Sequence, residues 1–74
     1  MPFVSIRIVE GHSQERKDEM AQRITRAVSE VAGVPEEIVW VTFEDIPAGE
    51  WYIGGESVEH MRSSSSSSPK GQNE

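Results

Sequence analysis

The chain has 74 residues, with 13 acidic and 7 basic side chains, a net charge of −6 and no cysteine. That size allows one small domain; the charge argues against nucleic acid and anionic membrane partners, which reward a basic face; and the missing cysteine rules out disulfides and thiolate sites. Hydrophobic residues make up only 35%, a small core for a domain class that buries about 60% of its unfolded surface, so self-association is the expected source of stability.

The first segment, PFVSIRIV at 2–9, alternates. Val4, Ile6 and Ile8 point one way, and Phe3, Ser5, Arg7 and Val9 the other. Period two predicts a β-strand. Alternation with Arg7 and Glu10 is unlike a secretion signal, and no apolar stretch is long enough to span a bilayer, so a cytoplasmic protein is expected. Proline cannot donate to a strand ladder and gains nothing at the head of a strand beyond being tolerated there. With Met1 removed, however, Pro2 becomes a free secondary amine, which makes it a candidate base.

Glu10-Gly11-His12 reads as a turn and Ser13 as a helix N-cap, with Glu15 in the favoured first turn. In the segment that follows, Met20, Ile24, Ala27, Val28 and Val31 recur at three and four, which predicts one amphipathic helix. Gly33 fits the stop. After the turn at Pro35-Glu36-Glu37, IVWVTFED at 38–45 predicts a second strand, with Val39, Val41 and Phe43 on one face and Trp40, Thr42 and Glu44 on the other. Strand, helix, strand with short turns makes a βαβ unit with parallel strands. IPAGEWYIGGESVEH is expected to form a loop and a short hairpin. Residues 63–74, opening with six serines, read as a disordered low-complexity tail behind a domain at 2–62. The sheet face carrying Phe3, Val9 and Trp40 is partly apolar, which predicts subunit packing.

Pro2 opening a strand, IRIVEG before a polar helix start, the βαβ order and YIGGES after the second strand together resemble the tautomerase superfamily, in particular its short 4-oxalocrotonate tautomerase group. The likeness covers residues 2–62. It implies an α/β fold of βαβ protomers, each with two parallel strands, one long helix and a short C-terminal hairpin. It also implies assembly as dimers and then hexamers (trimers of dimers), active sites near subunit boundaries, and catalysis by an amino-terminal proline. Two arginines and an aromatic complete the usual site. Here His12 stands where one arginine is expected, after Glu10-Gly11, and Trp40 where the other is, early in the second strand; Trp51 keeps the aromatic.

A peptide nitrogen has its lone pair delocalised and is not basic, whereas a free α-amino group has a pKa of about 7.7–8.0, and desolvation lowers it. A base poised near working pH suits proton transfer beside a carbonyl, and the rigid ring aims the nitrogen. His12 exchanges a fixed cation for a titratable one; its plainer reading is a loop histidine near the helix start. Trp40 offers bulk and one indole donor, as pocket wall or as interface filler, and Trp51 has the same two readings. Arg7 is a candidate replacement cation, against a structural pair with Glu44. Arg62 is a weaker candidate. The expected function is keto-enol proton transfer on an unsaturated or 2-oxo carboxylic acid, with the missing arginines favouring a monocarboxylate or an aryl-bearing enol. Hydration or dehalogenation of an unsaturated acid is an alternative within the superfamily, and a non-catalytic subunit of a hetero-oligomer is another. No cofactor or metal is expected: His12 and His60 are the only histidines.

Overall fold

The computed structural model describes residues 1–66, with side chains through residue 63. Strand β1 (Phe3–Val9) leads into helix α1 (Gln14–Ala32), and strand β2 (Trp40–Ile46) returns beside β1. The two strands are parallel and in register from Phe3 opposite Trp40 to Val9 opposite Ile46. A hairpin of β3 (Tyr52–Ile53) and β4 (Glu56–Ser57) follows, then helix α2 (Val58–Ser66). Gly54 and Gly55 both have positive φ, 61° and 89°, the backbone that a tight two-residue hairpin turn of type I′ demands.

The limits of α1 are set by its caps. Ser13 Oγ accepts from the Arg16 N–H at 3.2 Å, and Gly33, at φ 72°, donates to the Ser29 carbonyl at 2.9 Å. Val34 N–H shares that carbonyl at 3.1 Å, and the Ser29 hydroxyl donates to the Val34 carbonyl at 2.5 Å. The half-buried positions of α1 are Lys17, Met20, Ala21, Ile24, Thr25, Val28 and Ser29, an unbroken run at three and four. Met20, Ile24 and Val28 are where the spacing puts them. Ala27 and Val31 are not: both are exposed, Val31 by 89%. A stripe centred on Ile24 and Val28 turns those two positions away from the sheet.

Strand β2 begins two residues later than the alternation suggests. Ile38 and Val39 give their amides to Pro35 at 3.3 Å and Glu36 at 3.1 Å, in a single 3-10 turn at Glu36–Ile38. Those donors are consumed locally, so the ladder starts with Trp40, whose N–H donates to the Pro2 carbonyl at 3.0 Å. At the other end of the chain, Ser63–Ser66 continue α2, so the segment assigned to a disordered tail begins inside a helix. The remainder of that assignment, 67–74, lies outside the described residues.

The facing side chains Val4, Ile6, Ile8, Val41 and Phe43 are only half-buried. Ala48, 5% exposed, is the one fully buried residue among those described. Phe3 at 61%, Trp40 at 52%, Tyr52 at 63% and Ile53 at 57% stand open to solvent. An isolated protomer therefore holds a layer of side chains between one helix and two strands, with its other sheet face uncovered.

Candidate active site

Pro2 is half-buried at the entry to β1, behind the exposed Met1. Its carbonyl is held by the Trp40 N–H, which fixes its peptide against the start of β2. The Trp40 ring lies 6.3 Å from the Phe3 ring, tilted by 33°. Phe3, the next residue in the chain, and Trp40, bonded to the Pro2 carbonyl, thus set a half-exposed aromatic surface next to Pro2.

The other sequence-derived site residues lie farther along. Arg7 is opposite Glu44 in the register, and its Nε donates to Glu44 Oε1 at 3.2 Å. Both side chains are well exposed, at 74% and 60%, so this pair contributes about 0–1 kcal/mol. His12 follows the far end of β1 and is half-buried. It lines a cavity of about 310 Å³ with Arg16, Glu19, Met20 and Arg23. Trp51 is half-buried after the 3-10 turn Ala48–Glu50, and its carbonyl accepts from the Val58 N–H at 2.8 Å. That segment is tied to the His12 end of the sheet, because Ala48 N–H donates to Glu10 Oε2 at 2.9 Å. The Arg62 guanidinium lies at the same end, where a Cβ on Gly11 would come within 3.5 Å of it.

At about 3.3 Å per residue, β1 separates its two ends by about 20 Å. One protomer therefore brings Pro2 and Trp40 together, leaves Arg7 part-way, and sets His12, Trp51 and Arg62 at the opposite end. No small acid reaches both ends at once, so a site containing Pro2 with His12 or Trp51 needs a second copy. Arg16 and Met20 were not singled out as site residues from the sequence, although their spacing of four and eight from His12 is the signal that would have found them. Among the described residues, no group of three or more His, Asp or Glu side chains is placed to hold a metal ion, and no helix is long and apolar enough to cross a membrane.

A family described as tautomerase enzymes matches residues 2–61. This chain belongs to the tautomerase family. Family membership makes it an isomerase, as the resemblance of its motifs implied. A probable tautomerase of Streptococcus agalactiae serotype III is 46% identical over 56 residues, covering 76% of this chain and 93% of that protein. Among solved structures, a 4-oxalocrotonate tautomerase isozyme from Methylibium petroleiphilum superposes with a TM-score of 0.78 at 37% identity, covering 81% of this chain and 97% of that one. A heterohexameric 4-oxalocrotonate tautomerase from Chloroflexus aurantiacus superposes at 0.79 with 31% identity, covering 84% and 100%. The tautomerase fold therefore extends over β1, α1, β2 and the hairpin, and Pro2 is the first residue of the matched region.

Proposed function

We propose that this tautomerase uses the amino group of Pro2, freed by removal of Met1, as the general base in keto-enol interconversion of an unsaturated or 2-oxo monocarboxylic acid. The observation that carries this reading is the position of Pro2: half-buried at the head of β1, its carbonyl held by Trp40, beside the Phe3–Trp40 aromatic surface. A secondary amine there is aimed by its ring and partly shielded from water, and shielding favours the neutral, proton-accepting form.

In the ketonising direction, the neutral Pro2 nitrogen takes the proton of the enol hydroxyl. The oxygen's electrons reform the carbonyl as the double bond moves its electron pair to carbon, and the protonated Pro2 then delivers a proton to that carbon. Atoms and charge balance without a cofactor. Trp40 and Trp51 wall the substrate, and the Arg7 guanidinium and the His12 imidazole are candidates to hold its carboxylate. With no arginine at positions 12 and 40, a single carboxylate beside an apolar body suits the site better than a dicarboxylate.

The uncovered sheet face and the length of β1 between Pro2 and His12, about 20 Å over six strand rises, support assembly of copies into dimers and then a hexamer, with sites at subunit boundaries. Turnover of an aryl-bearing enol acid by the Met1-free protein, and its loss in Pro2→Ala with the assembly intact, tests the reading. The substitutions at 12 and 40 favour a second reading, a wall-forming subunit in a hetero-oligomer. Full activity of a homogeneous preparation excludes that.

A further inference from the structure

The geometry points to Arg16 as the carboxylate anchor of this site, in place of the arginine that position 12 lacks. This inference rests on the reading of Pro2 as a base acting on a carboxylic acid, and adds the residue that selects the acid. The cavity at the start of α1 is lined by His12, Arg16, Glu19, Met20 and Arg23. Its charges are not equivalent. Arg23 and Glu19 form an ion pair one helical turn apart, so together they present little net charge. Among the described residues, the Arg16 side chain makes no ion pair or hydrogen bond, while its backbone N–H donates to the Ser13 cap. His12 also has no side-chain partner there.

Arg16 and His12 are four residues apart and border the same space, so an anion entering it meets a permanent cation beside a titratable one. A guanidinium offers a carboxylate two parallel hydrogen bonds, which the indole at position 40 and a lone imidazole at position 12 do not. Half-buried Met20 supplies an apolar, adaptable lining to the same cavity, and the mutually paired Glu19 and Arg23 supply the rest of it. One cation, one apolar surface and one self-paired wall describe a subsite for a single carboxylate attached to an apolar group. The Pro2 that completes the site comes from a neighbouring copy, since the same protomer's Pro2 lies a strand length away.

The test compares the Met1-free wild type with Arg16→Ala, Arg16→Lys and, as a control outside this cavity, Arg26→Ala. The substrates are the enol of phenylpyruvate and of its methyl ester, in which a methyl group replaces the carboxylate charge. Arg16→Ala is expected to lower the kcat/KM preference for acid over ester by about tenfold or more, through KM. Arg16→Lys should recover part of it, and Arg26→Ala should keep the wild-type preference. An unchanged preference in Arg16→Ala, or equal loss in Arg26→Ala, overturns the assignment. A second readout separates this from failure of the base: 3-phenylpropanoate, which cannot enolise to a conjugated acid, is titrated while the amides of 12–17 are followed by NMR. Saturable shifts in wild type and Pro2→Ala but not in Arg16→Ala sustain the anchor even where no turnover is found. Equal shifts in all three, or none in any, refute it.

Discussion

Glu10 and Ala48 are joined by a 2.9 Å hydrogen bond in which the Ala48 backbone N–H donates to the Glu10 carboxylate. The backbone of Glu10 is bound as well, its N–H donating to the Ile46 carbonyl at 2.9 Å. One residue after β1 thereby clamps the exit of β2 and steers the chain into the segment bearing Trp51. Glu10→Ala leaves the amide of buried Ala48 without its acceptor and should destabilise the fold by about 1–3 kcal/mol. Glu10→Gln keeps an acceptor oxygen and should lose less. Chemical denaturation at a fixed protein concentration measures both, since oligomer stability depends on concentration.

Processing at Met1 should decide activity. Intact mass is expected to show a chain beginning at Pro2, and protein carrying one extra residue ahead of Pro2 should be inactive while assembling normally, because an acylated nitrogen is not basic. Activity undiminished by the extra residue would end the amine mechanism.

The face holding Phe3 should be covered in the assembled protein. Phe3 is 61% exposed in the single chain, and Phe3→Glu places a charge on that face without touching the α1 side of the sheet. Light scattering should show a smaller species for Phe3→Glu than for wild type at equal concentration. An unchanged mass would mean that this face is not an interface.

The replacement at position 12 should be reversible in kind. His12→Arg adds a permanent cation beside Arg16 and should lower KM for carboxylic acid substrates. His12→Ala should raise it by no more than the equivalent of one charge-assisted hydrogen bond, about 1.5–3 kcal/mol. Steady-state kinetics across the three proteins checks the order; identical KM values would make His12 a plain turn residue.

Much of the architecture is legible in the linear chain, because the responsible forces are local. Alternation in PFVSIRIV, the Ser13 cap, the Gly33 stop and the two glycines of the hairpin each act within a few residues, and each appears where those residues require. Tertiary structure alone decided the rest. Val31 shares the spacing of the helix stripe, yet the sheet selects the half of α1 centred on Ile24 and leaves Val31 out. Val39 alternates with Val41 and Phe43, but its amide is taken by the turn at Glu36, so the ladder begins at Trp40. Arg7 and Glu44, 37 positions apart, meet only because the parallel register sets them opposite. Arg16 carries no motif, and its availability depends on Glu19 being held by Arg23 rather than by Arg16. The order of residues specified the elements and the proline that heads them. Which charges are paired, and which remain for a substrate, depended on register and packing, because those bring together groups the chain keeps far apart.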